Sequence, residues 1–405
     1  MNWLSVKNTC SPCLPIIAIL IQLLIPIKLV AGDRPSLEPS DIAILMDKSS
    51  EAKITFSASV FSDSWFEQVS EGFLNSSVGD AFYRESPRET WRLVAVRVVP
   101  CNPLDSFPSP KQVERCWPEL RLVWQPIIKN VSLGGVVFKD YADDRAVHTL
   151  YDILPGDPHS RTEVLAYLND LRSGRPLGGG KPRFRELRKE LLDALFLDVL
   201  ALRDSSYLNE AYAALNVRPE FEHDKVAFAF VKRLTALIEK YARPRDIKEL
   251  TAFSLPEGRQ PMEINEWVFL AFSGMDGNIV PQDIHLRSTK DGASLLNLGP
   301  ANRSSMARDD ALFYEQDEDF EAMLRDHLIL YINDLNRLRS KIADRTKILV
   351  PNTSCTSCHK LGTSRENFHN LSYFEDEPIS ISPRVVKDVE LDLQWISANP
   401  IKTSE

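Results

Sequence analysis

Two cysteines and a histidine in the C-T-S-C-H segment at residues 355–359 constrain this chain more than any other feature of its sequence. The thiols of Cys355 and Cys358 lie three residues apart, and the imidazole of His359 follows the second thiol directly. With the numbers of Cys and His in this chain, the C-x-x-C-H pattern would arise by chance in about one such sequence in a thousand. The alternative is a small disulfide loop or redox pair that happens to precede a histidine.

C-x-x-C-H is the attachment signature of c-type haem, and each position has a chemical reason. Thiols at this spacing can reach the two vinyl groups on one edge of the porphyrin and form thioether bonds with them. The adjacent histidine is then held beside the iron and can be its proximal ligand. The motif therefore predicts a covalent haem c on Cys355 and Cys358, with the iron bound by His359.

The N-terminus has the pattern of a secretory signal peptide. Lys7 precedes an apolar run over residues 14–30, and the small residues Ala31 and Gly32 lead into a polar stretch. Prolines, a glutamine and a lysine interrupt the run, which makes it a poor membrane-spanning helix. We expect residues 1–32 to be a signal peptide cleaved near Gly32, leaving no stable membrane span; an uncleaved anchor is the alternative.

Export fits the use of cysteine in the rest of the chain. Cys101 and Cys116 bracket a Pro/Ser-rich loop between two predicted strands, at 91–99 and 120–125. A bridge between them would stabilise the fold by about 3 kcal/mol on the chain-entropy model. Metal binding by this pair is the alternative, but no histidine is near. Disulfides persist in oxidising compartments, so we expect a periplasmic or secreted protein.

Composition excludes one class of partner. The net charge is −9 and no Lys/Arg-rich run is present, which argues against nucleic acid because phosphate contact needs a basic face. The chain is 43% hydrophobic, enough for a real core.

The apolar pattern predicts an α+β protein with three regions after the signal peptide. The first is a β-rich region, residues 33–150, with further strands predicted over 53–60 and 131–138. The second is helical, residues 151–305, with a hairpin near 267–286 turned by Asp276-Gly277. The third, residues 306–405, is mostly helical and contains the C-x-x-C-H motif.

Five amphipathic helices are predicted from apolar residues three and four apart. The predicted helices cover residues 162–171, 184–202, 220–241, 320–342 and a C-terminal stretch that begins at Pro383. In the last helix, Ser382 is the expected N-cap and Val385, Val389, Leu393 and Ile396 form one apolar face.

The order helix, C-x-x-C-H, irregular stretch and second helix resembles a small class I c-type cytochrome. The resemblance covers about residues 310–400, and only Cys355, Cys358 and His359 match at the level of a motif. It implies that the two cysteines anchor the haem and that His359 is the proximal ligand. That family usually supplies a downstream methionine as second ligand, and this chain has none after Met323.

His369 is the candidate for the second, distal iron ligand, because it is the nearest histidine after the motif. The alternatives are a five-coordinate iron or a ligand from upstream: His327, Met323 or Met306. Two imidazoles would set a lower potential than a His/Met pair. An open sixth position would instead point to small-ligand binding or peroxide chemistry.

The larger N-terminal part, from residue 33 to about 305, resembles in general pattern only uncharacterised exported proteins of Gram-negative bacteria. That resemblance implies no activity. The sequence contains no nucleophile elbow, no H-E-x-x-H zinc motif and no dinucleotide fingerprint. Because residues 310–400 are few for an independent domain, we expect them to pack onto the larger one.

The function these features predict is that of an exported monohaem c-type cytochrome-domain protein that transfers single electrons to a redox partner protein. One alternative is an exported binding or structural protein with two disulfides and no haem. Another is a haem peroxidase-like enzyme whose pocket the N-terminal part shapes. The sequence predicts neither the identity of the redox partner nor the oligomeric state.

Overall fold

The computed structural model describes most of the chain between Ser36 and Asn399. The described residues are 36–47, 50–76, 88–103, 116–133, 136–142, 145–172, 181–204, 215–222, 224–254, 268–282, 285–288, 294–297, 381 and 383–399. The predicted signal peptide, the helix at 320–342 and the C-x-x-C-H motif lie outside these ranges.

Six α-helices and ten strands lie in the described part of the chain. The helices are α1 Pro39–Ile42, α2 Asp63–Ser76, α3 Pro158–Arg172, α4 Lys181–Asp204, α5 Asp224–Tyr241 and α6 Pro383–Ala398. The strands are β1 Ala43–Leu45, β2 Trp91–Pro103, β3 Cys116–Leu133, β4 Val136–Ala142, β5 Ala146–Asp152, β6 Ile247–Ser254, β7 Val268–Met275, β8 Asn278–Pro281, β9 His285–Ser288 and β10 Ser294–Asn297. This mixture confirms the α+β class.

Eight strands form one sheet in the order β1-β2-β3-β5-β6-β7-β8, with β4 paired to β3 beside this path. Every neighbouring pair is antiparallel. Strands β9 and β10 form a separate two-stranded sheet. The pairing of β5 with β6 brings strands of the predicted β-rich and helical regions into the same sheet.

Alternation along the strands places the core on one face of the sheet. On β3, the side chains of Leu120, Leu122 and Trp124 have no exposed surface, whereas Arg121 and Val123 between them are partly exposed. A period of two with one buried face is typical of an antiparallel sheet that is covered on one side. The Trp124 indole donates to Thr149 Oγ1 on β5 at 3.1 Å, so this buried polar group has a partner.

Helices α2, α4 and α5 contribute buried side chains to the same core as the sheet. Trp65, Phe196 and Phe230, one from each helix, are at most 1% exposed. The helices predicted over 162–171 and 184–202 are confirmed as α3 and α4. The third, predicted from residue 220, instead begins at Asp224 after a 3-10 turn at Pro219–Glu222.

The Asp276-Gly277 hairpin is confirmed. Strands β7 and β8 pair from Met275↔Asn278 outward, and the two turn residues have φ of 50° and 82°. Positive φ at both central positions is the requirement of the tight turn that matches strand twist.

Two strand predictions are wrong. Residues 53–60 make a single bridge, Thr55↔Arg92, and then turn at 58–60. Residues 131–138 do not form one strand: β3 ends at Leu133, β4 begins at Val136, and Val131 pairs with Phe138 across the hairpin. Alternation in the sequence favours extended chain, but it does not reveal which partner the chain finds or where the strand ends.

Among the residues that the structure describes, no helix is both long enough and apolar enough to cross a membrane.

Candidate functional site

The predicted haem residues Cys355, Cys358, His359 and His369 all lie outside the described residues, as do the alternative ligands Met306, Met323 and His327. Their placement therefore stays a prediction from the motif. What the structure does describe is the helix that follows the motif-bearing segment, α6, and the sheet on which that helix lies.

Helix α6 forms for local reasons that the sequence shows. Pro383 stands at its first position, where a proline lacks no needed hydrogen bond. Val389 and Ile396 are buried in the main core, and Val385 and Leu393 pack against it partly buried. This spacing of three and four residues gives the helix one apolar stripe, as predicted. Helix α6 contacts β2 and α1, so this end of the C-terminal region lies on the larger domain.

Charged residues lie within the same stripe of α6. Asp392 is fully buried and Asp388 nearly so, and both bind one guanidinium, that of Arg97 on β2. Arg97 Nη2 lies 2.8 Å from Asp392 Oδ2, and Nη1 lies 3.2 Å from Asp388 Oδ2. Arg384, one turn before Asp388, adds a second cation at 3.2 Å. The cluster therefore contains two cations and two carboxylates.

Burial alone would lower the pKa of the Arg97 guanidinium. The charges of Asp388 and Asp392, together with their hydrogen bonds, outweigh burial and hold that pKa above its ordinary value. Arg97 is therefore a permanent cation, and its two partners are held in place by charge-assisted hydrogen bonds. We call Arg97, Arg384, Asp388 and Asp392 the α6 anchor.

The α6 anchor was not predicted from the sequence, although the sequence of β2 and the sequence of α6 each contain charged residues in an apolar pattern. Arg97 interrupts a run of Val and Ala in β2, and Asp388 and Asp392 lie four apart within the apolar stripe of α6. A carboxylate on an apolar helical face requires a partner, because a buried unpaired charge is costly. The partner itself could not be found, since it lies 291 residues away in the chain.

The second predicted site, the Cys101–Cys116 disulfide, is confirmed. The two Cα atoms are 4.9 Å apart, and Pro103 and Cys116 are register partners at the ends of β2 and β3. The bridge therefore links the end of β2 to the start of β3, two strands that pair with each other. The guanidinium of Arg188 on α4 donates from Nη1 to the backbone oxygen of Cys116 at 2.9 Å and to its Sγ at 3.3 Å.

Two other buried ion clusters tie elements of the fold together. In the first, the Arg218 guanidinium donates to the Glu220 carboxylate and lies over the Phe230 ring, 4.9 Å from its centroid. In the same cluster, Arg203 forms an ion pair with Asp41 at 3.1 Å. Every charge named here has an opposite charge beside it. We interpret this cluster as structural, since it joins α1, the end of α4 and the 3-10 turn before α5.

The other cluster surrounds Asp246, whose side chain has no exposed surface. Arg161 Nε lies 2.7 Å from one carboxylate oxygen and Arg243 Nε lies 2.5 Å from the other. The ion pair between Arg161 and Asp246 joins α3 to the turn before β6.

No group of three or more His, Cys, Asp or Glu side chains that could hold a metal ion occurs within the described ranges. No protein-family model matches the chain, and comparisons with curated proteins and with solved structures give no match.

Proposed function

We propose that this chain is an exported monohaem c-type cytochrome-domain protein that transfers single electrons to a partner protein. Cys355 and Cys358 are the covalent anchors of haem c and His359 is the proximal ligand. The single observation that carries the proposal is the C-T-S-C-H motif. When bound, the haem supplies an iron that accepts and returns one electron.

The Cys101–Cys116 disulfide supports the compartment that this proposal needs. Disulfides persist outside the reducing cytoplasm. A signal peptide also directs a chain out of the cytoplasm. Predicted signal peptide and disulfide therefore point to the same location, periplasmic or secreted.

The α6 anchor supports a role for the larger domain in positioning the motif. Helix α6 begins at Pro383, 24 residues after His359 in the chain, and is held on β2 by buried ion pairs. Helix α6 thus attaches the chain to the sheet at a defined point downstream of the motif. In the proposed function the larger domain holds the haem-bearing segment and offers the surface that meets a redox partner.

A test of haem attachment is direct. The full-length protein is produced with haem-maturation machinery, separated on a denaturing gel and stained for haem peroxidase activity. We expect a stained band at about 43–46 kDa, which allows for signal cleavage from a 45.9 kDa chain, and an absorption band typical of haem c after treatment with alkaline pyridine. The C355S/C358S double variant is the matched control and should lose both signals.

The alternative with two disulfides and no haem makes the opposite prediction. It requires a colourless protein in which Cys355 and Cys358 are bonded to each other, which peptide mass spectrometry after alkylation would detect. A colourless product from cells that load haem onto a control cytochrome would refute the proposed function.

A further inference from the structure

The Cys101–Cys116 disulfide has an asymmetric environment. Cys116 Sγ accepts a hydrogen bond from the Arg188 guanidinium at 3.3 Å, and the same nitrogen binds the Cys116 carbonyl at 2.9 Å. Among the residues that the structure describes, no cation donates a hydrogen bond to Cys101. The two residues also differ in exposure: Cys101 is 9% exposed and Cys116 is 2% exposed.

The contact with Arg188 matters most when the bridge is broken. A cation beside a cysteine stabilises the thiolate over the thiol and lowers the pKa of that sulfur. In thiol–disulfide exchange, the sulfur with the lower thiol pKa is the better leaving group. Arg188 therefore favours Cys116 as the sulfur that leaves, and the incoming thiolate then attacks the sulfur of Cys101, the residue with the larger exposed fraction.

We propose that the Cys101–Cys116 bridge is a thiol–disulfide exchange site, at which an incoming thiolate bonds to Cys101 and Cys116 leaves as a thiolate paired with Arg188. The co-reactant is a small thiol or a dithiol protein of the same compartment. The site is separate from the motif at 355–359 and does not depend on bound haem.

The exchange balances in two steps. The incoming thiolate attacks Cys101 Sγ, the Cys101–Cys116 bond breaks, and its electron pair stays on Cys116 as a thiolate. A second thiolate then attacks the co-reactant's sulfur in the mixed disulfide, the bond to Cys101 breaks, and Cys101 leaves as a thiolate. Two thiols are thereby oxidised to one disulfide, and the protein bridge gains two electrons; the reverse sequence oxidises the protein.

The first experiment locates the attacked sulfur in the wild-type protein. Native full-length protein is incubated with reduced glutathione and iodoacetamide at neutral pH, so that the released thiol is capped before it can re-form the bridge. Peptide mass spectrometry then separates the cysteines. We expect glutathione on Cys101 and the iodoacetamide cap on Cys116. Glutathione mainly on Cys116, or neither adduct while reference disulfides react, would overturn the proposal.

The second experiment tests Arg188 through the equilibrium with glutathione redox buffers. In Arg188→Gln we expect the equilibrium constant for reduction to fall about tenfold, because the thiolate loses its cation. Arg188→Lys keeps the charge and should remain close to wild type. Arg185→Gln, an exposed arginine on the same helix, is the matched control.

Equal equilibrium constants for wild type and Arg188→Gln would refute the role of Arg188. Should Arg188→Gln fail to fold, the Arg188→Lys variant and the location of glutathione on the wild-type protein still decide the question. A protein that fails to bind haem but gives these adducts would reject the proposed function and leave the exchange site standing.

Discussion

Arg97 on β2 and Asp392 on α6 form an ion pair at 2.8 Å across 295 residues of chain, and the Asp392 side chain has no exposed surface. The pair fixes α6 on the sheet. It also attaches α6, which follows the C-x-x-C-H motif in the chain, to a strand near the beginning of the fold.

Asp392→Asn should destabilise the protein. Among the described residues, the variant leaves buried Arg97 with Asp388 as its remaining charged partner, and breaking a buried pair typically costs about 3–5 kcal/mol. Because the amide can still accept a hydrogen bond, we expect the lower end, about 3 kcal/mol. Urea unfolding followed by circular dichroism measures this loss of stability.

The control is Glu390→Gln, which removes an exposed partner of Lys387 on the same helix and should change stability by less than about 0.5 kcal/mol. Equal effects of the two variants would contradict the finding that the anchor is buried.

Gly274→Ala should be strongly destabilising. A methyl group at Gly274 on β7 would overlap the backbone carbonyl of Ile247 at the start of β6, and a backbone group cannot rotate away as a side chain can. We expect a loss of more than about 3 kcal/mol, as for severe overpacking. Gly156→Ala is the control, since nothing lies within 4 Å of its added carbon. A Gly274→Ala protein as stable as Gly156→Ala would show that β6 and β7 are packed less closely than the structure has them.

Tyr151 should make the protein sensitive to alkaline pH. Burial raises the pKa of its hydroxyl, which donates to Val60 O at 2.8 Å. The unfolded state loses this proton near pH 10 while the folded state keeps it, so the stabilising contribution is complete below about pH 10 and is lost as pH rises toward the folded pKa. The loss is about 1.4 kcal/mol per pH unit for one such group.

Tyr151→Phe tests this by removing the ionisable group. The variant should cost about 1 kcal/mol at neutral pH, because the Val60 carbonyl loses its donor. Its unfolding free energy should then fall less steeply than that of wild type between pH 10 and 11.5. Some slope should remain, since burial and Asp198 also raise the pKa of Tyr241. Identical slopes would show that Tyr151 does not keep its proton in the folded state.

His369→Ala tests the predicted second iron ligand. With His369 bound, the reduced haem of the wild-type protein should resist carbon monoxide, because both axial positions are filled. The variant should bind carbon monoxide rapidly, with a shift of the Soret band. His327→Ala is the matched control and should behave as wild type.

Rapid binding by His327→Ala instead would make His327 the ligand. Rapid binding by the wild-type protein would indicate an open site and favour the peroxidase-like alternative.

The elements that the sequence predicted well are those whose pattern is local. Helices α3 and α4 follow from apolar residues three and four apart, and the hairpin at Asp276-Gly277 follows from a turn that only certain residues adopt. The Cys101–Cys116 bridge was also predictable, because both cysteines stand at the ends of neighbouring strands.

The wrong predictions concern strands whose partner had to be guessed. Residues 131–138 have the composition of one strand, yet β3 ends at Leu133 and a second strand, β4, begins at Val136 and pairs antiparallel with it. Residues 53–60 alternate like a strand, but their pairing with β2 is limited to the isolated bridge Thr55↔Arg92 and does not extend into a ladder. A period of two records which side chains face the core, and it carries no information about where the neighbouring chain lies.

For the candidate site, the features that the sequence alone shows differ clearly from those that only the folded structure shows. The C-T-S-C-H motif needs no folding to be recognised, because the covalent chemistry of two thiols and an imidazole depends on their spacing along the chain. The α6 anchor and the contact of Arg188 with Cys116 arise only when distant segments meet. Buried charges are stable only beside a partner, and the choice of partner is made by the packing of the whole domain.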